Sequence, residues 1–274
     1  MSQINRTDPS GARDDLPSIA DLSLPDDHIN RQLAVRIEPD GTGVVGRFTV
    51  RPSMWGAGSS RPRLSILAMA IDGLAGQLPS PVRIPTIDLR AQYLSEPPSE
   101  GAVQITGRPL RVGRRLIVSE FEARDAAGIV FGRATTTMSN NHHHGYVPDD
   151  DVEPAIRIPS FDRLLDWREV DERSLDLDPT PQIWNGVIQT PHGGAQMLFC
   201  ELAAEHLAGH GRAAVDIDIR FLQPGEVGPL RATAIPVGTN GGLDVFRIDL
   251  TDTGAGGALV AAVTIMSRPL EAHA

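Results

Sequence analysis

Six residues carry the chemistry that can be read from this 274-residue sequence: Asp72, Asn185, His192, Gly193, Gly194 and Glu201. Asn185 stands shortly before His192-Gly193-Gly194, and an apolar segment then runs through Glu201. Where a loop hands over to a helix, the first backbone N–H groups lack helical acceptors and the positive end of the helix dipole is exposed. Glycine there lets a bound group approach the backbone closely. Gly193 and Gly194 are therefore candidates to stabilise an oxyanion, with His192 and Asn185 orienting the loop or the group held there. A carboxylate would supply the base or nucleophile. Glu201 is poorly placed to serve its own helix start. Nine residues at ~100° each put it on the face opposite His192, and the rise is about 13 Å.

Internal repetition supplies a second acid. Pro52, Trp55, Pro62 and Asp72 match Pro181, Trp184, Pro191 and Glu201, each pair 129 positions apart. The match continues at 128 positions, with Ile87-Asp88-Leu89 against Val215-Asp216-Ile217, Tyr93-Leu94 against Phe221-Leu222, and Met138-Ser139 against Met266-Ser267. A period this long means two copies of one domain rather than a solenoid. The copies differ at the helix start: Arg63-Leu64-Ser65 stands where the other has His192-Gly193-Gly194. A composite arrangement follows as an expectation. Asp72 would face the Asn185/His192/Gly193 loop as the working site, and Glu201 would face the Arg63–Ser65 loop as a degraded one.

The elements that position these residues read alike in both copies. A strand region (32–51 in the first) precedes the Trp, then a Gly/Pro/Ser loop, then an apolar helix at 66–78 and 195–208. Period-two strands follow at 87–93, 116–123 and 129–138, and at 215–222, 230–236, 243–250 and 258–266. Helices apolar on nearly every side imply burial. The fold class expected is α+β, a double hotdog of two antiparallel sheets, each wrapped around a central helix. The divisions expected are a flexible tail over 1–28, a first domain over 29–139, a linker over 140–159 and a second domain over 160–270.

The string Asn185-x6-His192-Gly193-Gly194, with an acid nine positions after the His, resembles the loop-to-helix motif of hotdog-fold thioesterases acting on phenylacetyl-CoA, 4-hydroxybenzoyl-CoA and related esters. The segments starting at Ile87 and Val215 look like that family's central strands. The resemblance covers roughly residues 30–139 and 160–268. It implies an acyl-CoA thioesterase whose acid and helix start come from different hotdog units, and a hydroxyl residue near the acid, for which Thr86 is a candidate. It also implies an acyl-CoA substrate. Arg108, Arg111, Arg114 and Arg115, clustered around one strand turn, are candidates to meet the CoA phosphates. Met69, Met197, Leu198 and Phe199 are candidates to set pocket depth. The competing reading is a non-catalytic acyl-CoA-binding double hotdog. A hotdog hydratase is disfavoured because no Asp/His pair stands close in sequence.

Composition narrows the rest. The formal charge of −10 argues against nucleic acid or anionic membrane as a partner. All 25 basic residues are Arg, which excludes Schiff-base chemistry and a P-loop lysine. One cysteine, Cys200, excludes a disulfide framework and suits a cytoplasmic setting. No signal peptide or span-length apolar run is read, and no cofactor or metal is called for. His142-His143-His144 are consecutive loop residues, poorly suited to converge on one ion. Assembly of the double hotdog into a homo-oligomer is compatible with the sequence.

Overall fold

The computed structural model describes residues 25–78, 85–140, 156–185, 188–209 and 211–270. The expected tail lies mostly outside this range, as do most of the linker and all of His142–His144. The first half runs through helix α1 (Ile29–Leu33), strands β1 (Arg36–Asp40) and β2 (Gly43–Val50), helix α2 (Leu64–Ala75), and strands β3 (Thr86–Tyr93), β4 (Gly101–Val112), β5 (Leu116–Arg124) and β6 (Val130–Ser139). The second half has β7 (Asp166–Asp171), β8 (Ser174–Asp178), the short pair β9 (Trp184–Asn185) and β10 (Ile188–Pro191), helix α3 (Gly193–Ala208), and strands β11 (Arg212–Phe221), β12 (Leu230–Asn240), β13 (Leu243–Asp252) and β14 (Ala258–Pro269).

Two expectations need correction. The region 32–51 is not a single strand: its start belongs to α1, and β1 and β2 form a hairpin that turns at Gly41, whose φ of +59° suits glycine. Nor do the two halves form separate sheets. One twelve-stranded sheet runs in the order β1-β2-β4-β5-β6-β3-β11-β14-β13-β12-β8-β7. The two halves join because β3 and β11 pair antiparallel, so neither strand is left with an open edge of backbone donors and acceptors.

That order is a palindrome, and its centre agrees with the repeat in the sequence. Asp216 pairs with Gln92, Arg220 with Asp88, and Asp218 with Arg90. Under the 128-residue offset the first two pairs exchange and the third maps onto itself. A pseudo-twofold axis thus passes through Arg90–Asp218. Across this seam the Asp216 carboxylate accepts from Arg90 Nε (3.1 Å) and Nη2 (2.6 Å) and from Gln92 Nε2 (2.6 Å).

Helices α2 and α3 pack side by side against the sheet; α2 also reaches β11, in the other half. Every residue of α2 is buried except Asp72 and Gly73, which are partly so. The all-round apolar pattern therefore reflects burial between sheet and neighbouring helix. Buried Cys200 lies in this core, and burial pushes its thiol up to about 12, so it is held as an inert thiol. Among the described residues no helix is long and apolar enough to cross a membrane.

Replacing Asp216 by Ala removes the charge-assisted bonds at the seam. We expect a loss of about 1–3 kcal/mol in denaturant unfolding. An unchanged midpoint would mean that backbone pairing alone holds the halves together.

Candidate active site

Both helix starts are built by the same device. Trp55 bridges to Pro62 and Trp184 pairs with Pro191, closing a loop just before each helix. Just outside each loop, Arg63 N–H donates to Met54 O (3.0 Å) and His192 N–H donates to Ile183 O (2.7 Å). The repeated Trp and Pro thus hold residues 63 and 192 in equivalent places. What these residues do there differs.

At α3 the helix caps itself. Gly194 N–H donates to His192 Nδ1 at 3.0 Å. Nδ1 is therefore an acceptor, and neutral His192 carries its proton on Nε2. That Nε2 faces Asp72 Oδ2 at 3.9 Å, beyond hydrogen-bond range but close enough for one oxygen atom to reach both. Asp72 comes from α2, its side chain 9% exposed, and its Oδ1 accepts from Thr86 Oγ1 at 2.5 Å. The structure thus brings Asp72, Thr86, His192 and Gly193 together from two helices and one strand of different halves.

The two glycines separate in role. A Cβ on Gly193 would lie 2.9 Å from Asp72 Oδ2 and 3.2 Å from Phe221 Cζ, so glycine keeps the space in front of the acid open. A Cβ on Gly194 would lie 2.2 Å from Met69 Cγ, so that glycine serves close contact between α2 and α3. The N–H of Gly194 is also taken by His192. The first-turn N–H groups for which the helix supplies no acceptor are those of Gly193 and Ala195, and Gly193 is the one beside Asp72. Asn185 lies on β9 next to Trp184, within the loop that ends at this helix start.

At α2 the neighbour does the capping. Glu201, 2% exposed, accepts from Leu64 N–H (3.3 Å) and Ser65 N–H (2.8 Å), filling the place at which an oxyanion would bind. Arg63, in the position of His192, turns away. Its Nε and Nη2 donate to Glu205 (3.0 and 2.9 Å) and its Nη1 donates to Asp162 (2.6 Å) and to Trp55 O (2.9 Å). Burial would lower the Arg63 pKa, but Glu205 and then Asp162 outweigh it and keep the guanidinium charged. For Glu201 burial wins. Helped by the charge of Glu205, it pushes the carboxyl up to about 7, against the opposing pull of Ser65 and Arg63.

Several of these residues were not visible as partners in the sequence. Glu205 sits one helical turn after Glu201, the only hint of its role. Asp162 lies within the β6–β7 connection, just before β7. His28, counted with the tail, is buried and caps α1; its Nε2 pairs with Trp184 O at 2.8 Å, tying the N-terminal segment to the site loop.

The basic candidates divide. Arg108 is paired with Glu120 across β4 and β5. Arg111, Arg114 and Arg115 are exposed around the β4–β5 turn. This turn shares a sheet end with the site: Thr86 pairs with Met138, Met138 with Ile117, and Ile117 with Val112. Three strand spacings put it about 14 Å from Thr86. Among the described residues no cluster of His, Cys, Asp and Glu is suited to hold a metal.

A long antiparallel sheet packed over two central helices is the hotdog architecture. The chain resembles a conserved hotdog-fold protein from Alicyclobacillus acidocaldarius (TM-score 0.63, 15% identity, 89% of this chain and 98% of that one). It resembles the acyl-CoA thioesterase II TesB2 of Mycobacterium marinum to a similar degree (TM-score 0.58, 14% identity, 89% and 99%). A 12:0-ACP thioesterase from Umbellularia californica is also similar (TM-score 0.58, 12% identity, 82% and 94%). At these identities the likeness establishes the fold. By sequence, residues 180–267 match the acyl-CoA thioesterase N-terminal domain; over most of the chain the likeness is one of hotdog fold. A comparison with curated proteins finds no match.

The Glu201 shift has a definite sign. Its folded pKa lies above the ordinary 4.5, so its contribution to stability is full below that value and is lost as pH rises through about 7. Relative to Glu201→Gln, the wild type should lose on the order of 3 kcal/mol between pH 4 and 8 in denaturant unfolding; parallel pH curves would contradict this. Gly194→Ala should cost about 1–3 kcal/mol through overpacking against Met69, read as a lowered unfolding midpoint.

Proposed function

We propose that the protein is a double-hotdog acyl-CoA thioesterase, hydrolysing a small-molecule thioester to a carboxylic acid and free CoA thiol at one composite site per chain. The two hotdog units of this reading are residues 29–139 and 160–270, which meet at the β3–β11 seam. The observation that carries this reading is Asp72 from α2 facing His192 Nε2 and Gly193 at the start of α3.

In this reading the thioester carbonyl oxygen lies at the α3 start, where Gly193 N–H and the helix dipole stabilise the charge that develops on attack. Asp72 drives that attack, by adding to the carbonyl carbon or by taking a proton from water. Thr86 holds Oδ1 and so aims Oδ2 at the reacting carbon. With Nδ1 engaged by Gly194, His192 acts as a donor through Nε2 and orients the reacting oxygen. Asn185 stands in support within the loop. The thiolate leaves and is protonated, and water supplies the new oxygen of the acid.

The CoA arm runs from the site across β3, β6 and β5 to Arg111, Arg114 and Arg115, which meet the phosphates. Arg108 is occupied by Glu120 and is left out of this role. At the second helix start Glu201 fills the N–H groups that a carbonyl would need, so that site is closed to catalysis.

The test is thiol release from a panel of acyl-CoAs. Asp72→Asn should lose at least about 100-fold in kcat, whereas Glu201→Gln should stay within a few-fold of wild type. Loss on Glu201→Gln with Asp72→Asn active would reverse the assignment. CoA esters bound but never hydrolysed would favour the competing reading, a non-catalytic acyl-CoA-binding protein, to which the filled second site already lends an example within this chain.

A further inference from the structure

We propose that Phe221 selects the acyl group at the carbon next to the thioester, admitting unbranched acyl groups and rejecting those with a substituent there. The inference rests on the thioesterase reading and goes beyond it by assigning a specificity residue. Phe221 ends β11 and is partly buried, packed against the core. The point at which a Gly193 Cβ would stand is 2.9 Å from Asp72 Oδ2 and 3.2 Å from Phe221 Cζ. A carbon that reacts with Asp72 from the space before Gly193 is therefore also in contact with the edge of the Phe221 ring.

Direction decides which substituent of that carbon meets the ring. Phe221 lies one residue beyond the Arg220–Asp88 pair, on the β11 side of β3. The arginine turn lies on the opposite side, across β6 and β5. With the sulfur and its CoA arm running toward the arginines, the acyl carbon faces Phe221.

The other half shows the alternative. Tyr93 occupies the position equivalent to Phe221. Its hydroxyl donates toward Pro62 O (3.3 Å) and Arg63 O (3.2 Å), and its ring packs under the Arg61 guanidinium at 4.8 Å. There the aromatic residue is tied to the helix start. Phe221 has no hydroxyl with which to make that link, so its ring presents only an apolar edge to the space before Asp72.

The experiment compares kcat/KM for the straight-chain acyl-CoA that the wild type turns over best and for its α-methyl counterpart, in wild type, Phe221→Ala and Phe221→Leu. Phe221→Ala should raise the branched-to-straight ratio by about ten-fold or more, with Phe221→Leu between. A ratio unchanged within two-fold in variants that still hydrolyse the straight-chain ester overturns the assignment and leaves the thioesterase reading intact. If Phe221→Ala does not melt cooperatively, Phe221→Leu carries the comparison. A wild type that hydrolyses no CoA ester overturns the thioesterase reading itself, and this inference with it.

Discussion

A helix start buried away from water must find acceptors for its first N–H groups within the protein. Two such starts lie here beneath one sheet, side by side, and everything distinctive about the molecule follows from how each is answered. The β3–β11 seam sets the helices together so that an acid on one reaches the start of the other. At α2 the acid answers directly: Glu201 accepts from Leu64 and Ser65, and the start is sealed. At α3 the ring of His192 answers for Gly194, and Asp72, one methylene shorter than Glu201, stands off with Thr86 on one oxygen. One start thereby has its donors filled. The other keeps a donor facing a carboxylate, the pairing that addition to a carbonyl requires.

Much of this was legible in the residues. The 128-residue repeat agrees with the register of the central seam, since Asp88 and Asp216 exchange under it. The nine-residue spacing of His192 and Glu201 ruled out a site on one helix and pointed to the crossed arrangement. The single sheet was harder to read. Period-two patterning tells which face of a strand is buried but not which strand lies beside it, so β3 and β11 looked like edges of separate sheets. The Arg63–Glu205–Asp162 cluster was hidden for a related reason, since ion pairs between distant segments leave no local period. Gly194 misled in another way: the residue that permits a bound group to approach is also the one that permits another helix to approach, and only the position of Met69 tells the two apart.

The halves have diverged most where they face each other's acids. Arg63 makes no side-chain cap where His192 does, and instead ties α2 to Glu205 on α3 and to Asp162. Buried ion pairs of this kind are costly to break once formed. At this helix start the buried ion pairs tie the halves together, while at the other Gly193 keeps a space in front of Asp72.

The pair at the centre of the seam has a further consequence. Arg90 and Asp218 lie on the pseudo-twofold axis, so whatever residue a half places there would meet its own copy if two identical halves associated. Two first halves would bring arginine against arginine, and two second halves aspartate against aspartate; like charges directly opposed across strands repel. Only the mixed pairing brings opposite charges together. At this one position, then, the union of unlike halves within one polypeptide is the one that sets unlike charges in opposition.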